Sequence, residues 1–156
     1  MPQLTEVTDE LRARVLRLAP HPEQQRFSGR ASDTLALAAN PLRRAVVALD
    51  DDGEPVAFMI LDTGASMVAV HRPGTVGVRG FYVDARHQGR GIGTAVLRAL
   101  PAYVREHYPE ADRIALTVNV ANPAAQRAYF RAGFVDTGER YSAVPGAPQL
   151  VLEYRL

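Results

Sequence analysis

The 156-residue chain contains no cysteine, no lysine and no tryptophan. The absence of cysteine excludes disulfides, thiolate metal ligands and a cysteine nucleophile that could carry a group covalently. The absence of lysine excludes a P-loop, which needs Gly-Lys followed by Ser or Thr. All 18 basic residues are arginine, and alongside abundant Ala, Val, Gly and Pro this reads as the mark of a GC-rich genome. An excess of one charge is lacking too: the formal net charge is +1, so no basic field points to nucleic acid or anionic membrane. The four histidines (His21, His71, His87, His107) show no metal-ligand spacing, and no metal is expected. No apolar run is long enough to span a bilayer, and the N-terminus lacks a signal pattern. A cytoplasmic protein is the expectation.

What is present is a globular composition, 47% hydrophobic and 22% charged, at the size of one ordinary domain. No repeat or low-complexity linker divides residues 1–156. Residues 9–19 place Leu11, Val15 and Leu18 at helical spacing behind Asp9 as a cap, and Pro20 and Pro22 end the run. Ser32 opens a second helix that stops before Asn40-Pro41. AVVAL and VAFMIL then read as a β-hairpin around the turn DDDGEP, and Val68–Val70 as a further strand piece. Residues 76–83 read as a strand and 92–107 as a helix with an apolar stripe, in which Pro101 removes one backbone donor and should introduce a kink. RIALTVN (113–119) is a strand. Residues 122–133 are a helix with Asn122 as cap, Pro123 at its first position and Gly133 as its stop. Two strands around PGAP close the chain, giving a mixed α/β sheet. The closing strand QLVLEYRL has two open readings, a sheet edge used in dimerisation or an ordinary last strand.

Three glycines, Gly89, Gly91 and Gly93, stand where helix 92–107 begins, although glycine weakens a helix. The first N–H groups of a helix lack intrahelical partners and carry the positive end of its dipole. Glycines fold the preceding loop tightly and let those N–H groups approach a phosphate. Gln88 to Thr94 therefore read as a diphosphate cradle, with Arg86 and Arg90 as charge support. A dinucleotide-binding fold fits poorly. Five residues (84–88) separate strand from glycines, the spacing is G-x-G-x-G, and the next strand ends in Asn119 where an acid is wanted.

The run Gln88-Gly89-Arg90-Gly91-Ile92-Gly93 after a strand, followed by NPAAQRAYFRAGF (122–134), resembles the GNAT superfamily of acyl-CoA N-acyltransferases. The resemblance implies a mostly antiparallel α/β sheet of about six to seven strands flanked by about four helices. It implies acetyl-CoA as donor, with the backbone of Phe81, Tyr82 and Val83 bonding the pantetheine arm and polarising the thioester carbonyl. Gln88, Gly89, Arg90, Gly91, Ile92, Gly93 and Thr94 would hold the diphosphate, Asn122 the cofactor arm, and Tyr129 would be the general acid for the leaving thiolate. The acceptor would be a primary amine attacking directly, a small molecule such as a polyamine.

Some relatives carry a glutamate base on the strand before the loop, but Val76–Gly80 has no carboxylate. Glu139 and Asp84 are candidates only by their acidity and place in the sequence. A polyamine pocket would need converging acids, for which Glu10, Glu23, Asp33 and Asp62 are available. A catalytically inactive acyl-CoA sensor, and acetylation of a protein N-terminus or an aminoglycoside, are the alternatives.

Overall fold

The computed structural model describes residues 2–142 and 145–156. Its strands are β1 (Gln3–Glu6), β2 (Arg43–Leu49), β3 (Pro55–Asp62), β4 (Thr75–Val83), β5 (Arg113–Asn119), β6 (Val135–Tyr141) and β7 (Gln149–Arg155). The helices are α1 (Asp9–Val15), α2 (Gln25–Ser28), α3 (Ala31–Thr34), α4 (Ile92–His107) and α5 (Pro123–Arg131). The strands form one sheet in the order β1-β2-β3-β4-β5-β7-β6, every pair antiparallel except β4 with β5. This is the expected mixed, mostly antiparallel architecture.

Alternation along the strands divides the core between the two sheet faces. On one face, Val46, Met59, Leu61, Val78 and Leu116 pack against Val96, Leu97 and Leu100 of α4 and Tyr129 of α5. On the other, Ala45, Val47, Phe58, Ile60 and Tyr82 pack against Val15, Leu18, Ala31 and Leu35 of the N-terminal segment. The Tyr82 hydroxyl accepts from Ala31 N–H at 2.8 Å and donates to the Leu18 carbonyl at 2.9 Å. That clamp fixes the N-terminal segment over β4. Burial pushes the Tyr82 phenol up to about 12, so the clamp keeps its proton.

Several expected boundaries shift. Thr8, not Asp9, caps α1, its side chain accepting from Leu11 N–H, and Asp9 instead puts its charge in the first turn. The second helix starts at Ala31 and tightens into a 3₁₀ segment at Leu35–Ala39. Val68–Val70 is a turn, since Val70 and His71 N–H both bond the Met67 carbonyl and no strand pairs there. α4 runs from Ile92 to His107 with the Pro101 ring buried inside it. QLVLEYRL is not an edge: β6 covers its outer side, leaving β1 and β6 at the margins. The DDDGEP turn is closed by Asp50, whose Oδ1 accepts from the N–H groups of Asp52 and Glu54.

Candidate active site

Parallel pairing of β4 with β5 lasts only from Thr75–Gly77 to Arg113–Ala115. Beyond it the two strands part. β4 stays bonded to β3 and β5 to β7, so the facing edges of Val78–Val83 and Leu116–Asn119 have no strand neighbour. A cleft of about 640 Å³ opens between them, lined by Phe81, Val83, Thr117, Asn119 and Tyr129 among others. β4 carries a bulge beside the cleft, in which Gly80 and Phe81 stand opposite Met59. Gly80 has φ +64°, which glycine adopts readily, and a Cβ there would come within 3.3 Å of the Ser28 carbonyl oxygen.

The glycine loop closes one end of this cleft. Gly89 and Gly91 have φ of +79° and +74°, and no atom lies within 4 Å of where their Cβ would be. The glycines are thus required by backbone conformation and leave open space above the loop. Among the described residues, no N–H from Gln88 to Thr94 donates to a protein acceptor. A run of unpartnered donors at the start of the 16-residue α4 is what an anion such as a diphosphate needs. Gly93 lies within the helix, where a Cβ would stand 3.4 Å from the Val83 side chain, an ordinary contact.

Side chains of the loop also make contacts within the protein. Gln88 Nε2 donates to Gln24 Oε1 at 2.8 Å and the Val83 carbonyl at 2.9 Å, bracing the loop against β4. Arg86 is held by Asp84 at 2.7 Å, and exposed Arg90 does not line the cleft. Neither Arg86 nor Arg90 is among the residues that line the cleft. Arg127 and Arg131 of α5 line the cleft instead, one helical turn apart. Asn122 caps α5 through Oδ1 to Ala125 N–H and also lines the cleft.

The Tyr129 ring is core, 6.2 Å from the Phe81 ring centroid and 5.7 Å from that of Phe134. Its hydroxyl has no hydrogen-bond partner among the described residues, and the residue lines the cleft. Burial pushes its pKa well above that of free tyrosine, so the proton is retained throughout the neutral range.

Neither candidate base lies in the cleft. Asp84 is buried, which alone would raise its pKa, but Ala19 N–H, Arg86 and His87 hold the carboxyl below the usual range. It ties the end of the N-terminal segment to β4 and is no proton acceptor at neutral pH. Glu139 is exposed on β6 and lines a separate hollow with Arg113 and Glu153. The four acids Glu10, Glu23, Asp33 and Asp62 do not converge on the cleft. Asp62 is buried and paired with Arg43 at 3.1 Å and Arg79 at 3.0 Å. Among the described residues the lining includes four arginines (Arg26, Arg79, Arg127, Arg131) and no carboxylate. Sequence reasoning missed all four, because only the sheet order brings residues of α2, β4 and α5 to one place.

Among the described residues no helix is long and apolar enough to cross a membrane, and no three His, Cys, Asp or Glu side chains group to hold a metal.

The acetyltransferase (GNAT) family model matches residues 6–134. An uncharacterized N-acetyltransferase of Bacillus subtilis strain 168, YbbJ, is 30% identical over 136 residues, which cover 86% of this chain and 84% of its own. The spermine/spermidine N(1)-acetyltransferase of the same organism is 33% identical over 135 residues, covering 85% and 87%. The solved structure of AAC(6')-Ib in complex with ribostamycin and coenzyme A superimposes with a TM-score of 0.78 at 19% identity, covering 99% of this chain and 93% of that one. A parted β4–β5 edge, a loop of free amides and a match over most of the sequence agree: the chain belongs to the acetyltransferase (GNAT) family, as an N-acetyltransferase that takes its acetyl group from acetyl-CoA.

Proposed function

We propose that the protein moves an acetyl group from acetyl-CoA directly to the primary amine of a small molecule, using one active site on a single 156-residue domain. The observation that carries this is the unpaired edge of β4, which runs from the free amides of the glycine loop past Tyr129. Acetyl-CoA supplies an activated acyl group, a thioester.

The chain's own groups do the rest. N–H groups from Gln88 to Thr94 hold the diphosphate, with Arg127 and Arg131 adding charge. Main-chain donors and acceptors of Phe81, Tyr82 and Val83 bond the pantetheine amides as a neighbouring strand would. Asn122 offers its free Nδ2 to the same arm. Backbone N–H groups at the Gly80–Phe81 bulge stabilise the negative charge that develops on the carbonyl oxygen. Tyr129 gives its hydroxyl proton to the sulfur as the C–N bond forms and the C–S bond breaks, and the proton shed by the amine nitrogen returns through water.

No carboxylate of the lining accepts that proton. The guanidinium groups around the cleft lessen the need for one, since nearby positive charge disfavours a bound ammonium and shifts it toward the free amine. Water then suffices as the route out. On this reading the acetylation takes place in the cytoplasm.

Thiol release from acetyl-CoA across a panel of amines tests the proposal. Amine-dependent release is expected. Tight CoA binding with no release for any amine would establish a sensor instead. A second reading, a polyamine acceptor, is favoured by the spermine/spermidine relative, and it predicts that spermidine leads the panel.

A further inference from the structure

The four cleft arginines divide by position. Arg127 and Arg131 stand on α5 beside Tyr129, whereas Arg26 is on α2 and Arg79 on β4. Arg79 alternates onto the sheet face that carries Ile60 and Tyr82, the face covered by the N-terminal segment. α2 lies directly over the bulge, its Ser28 carbonyl oxygen 3.3 Å from where a Gly80 Cβ would stand. Arg26 and Arg79 therefore flank one end of the cleft, next to the bulge. Arg79 is four residues, about 13 Å of strand, from Val83 at the end of β4, and the diphosphate loop starts only beyond that, at Gln88. That distance puts it beyond the coenzyme's phosphates.

The charge at this end is not neutralised. Asp62 is a single carboxylate facing both Arg43 and Arg79, and it also accepts from Gly64 N–H at 2.7 Å and Ser66 Oγ at 3.1 Å. It engages Arg79 through Nη1 alone, leaving Nε and Nη2 without a partner among the described residues. The buried pair fixes the guanidinium and leaves a net positive charge with spare donors. Arg26 has no ion pair among the described residues and rests on the Phe27 ring, 4.5 Å from its centroid. Two arginines with unused forked donors, one exposed and one half-buried, share with Arg43 only the single carboxylate of Asp62; they favour an anionic partner, and a carboxylate matches the fork. A polycation would meet net repulsion, since that one acid is already paired.

We propose that the acceptor amine bears a carboxylate, an amino-acid-like molecule, and that Arg79 and Arg26 bind that carboxylate while the amine points to the bulge. This rests on the acetyltransfer reading and narrows its substrate class.

The test measures thiol release by the full chain at saturating acetyl-CoA. The acceptors are alanine, β-alanine and 4-aminobutyrate, their amides, 2-aminoethylphosphonate and spermidine. At least one carboxylate-bearing amine should exceed its own amide in kcat/KM by about 10- to 100-fold, the worth of one charge-assisted pair. Arg79→Gln and Arg26→Gln should each collapse that ratio toward unity, chiefly through KM, while the melting shift with CoA alone stays as in the parent. Arg26 is exposed, so its variant tests the idea even if loss of the Asp62 partner unfolds the other. Amides or spermidine used as well as the acids, the phosphonate preferred to every carboxylate, or a ratio unmoved by both substitutions would overturn the carboxylate acceptor and leave acetyl transfer standing. No release with any amine would overturn both.

Discussion

The Tyr129 ring packs between Phe81 and Phe134 while its hydroxyl stays without a partner at the cleft wall. Core residue and proton donor are compatible roles because they use different ends of one side chain. Tyr129→Phe keeps the packing and removes the proton; kcat should fall by about 10²- to 10⁴-fold, with CoA affinity nearly unchanged by calorimetry. Because burial raises the Tyr129 pKa, its acid form persists above pH 10, and the alkaline limb of the rate profile should show no loss from this group below that pH. Asp84 illustrates the opposite error. Its acidity suggested a base, but its three hydrogen-bonding neighbours make it a brace. A carboxyl whose folded pKa is depressed stabilises the fold above its unfolded value near 3.9, and that contribution disappears as pH falls through the folded value. Asp84→Asn should therefore cost about 1–3 kcal/mol at pH 7, and the gap in melting temperature from the parent should narrow below about pH 4.

At the scale of elements, the loop from Gln88 to Thr94 was legible because its constraint is local. A left-handed φ at Gly89 and Gly91 is set by the loop's own geometry, and glycine is its sequence mark. Gly91→Ala should strain that backbone by roughly 1–2 kcal/mol and displace the N–H groups that hold the diphosphate. Calorimetry should show CoA binding weakened about tenfold or more, with a modest drop in melting temperature without ligand. The strand β5 and the capped helix α5 were equally readable, since apolar alternation and an Asn-Pro start are local signals. β1 was not. QLTE is four residues long and half-exposed, and it is a strand only because β2 offers an edge. The 68–70 segment failed in the reverse sense: its apolar residues suit a strand, but no partner edge reaches it.

Across the whole molecule, what the sequence hid is spatial order. The formal charge of +1 concealed a cleft whose lining, among the described residues, has four arginines and no carboxylate, because acids elsewhere balance the sum. Of the two readings of the last strand, the edge is the one the sheet rules out: it lies between β5 and β6, since the sheet does not follow chain order. The cleft itself is a gap in sheet pairing, which no local pattern records. A ligand that fills it should stabilise the fold. CoA at 100 times its dissociation constant should add about 2.7 kcal/mol, which for a chain of this size is about 5–10 °C in a thermal melt. ATP or NAD at equal concentration should produce little shift. The central claim is that the open edge of β4 and the free amides beside it receive the coenzyme, and a crystal structure of the CoA complex tests it most directly. The diphosphate should lie within hydrogen-bond distance of N–H groups between Gln88 and Thr94, with pantetheine along Phe81–Val83 and its sulfur facing Tyr129. Coenzyme bound elsewhere, with that loop bonded only to water, would contradict the account.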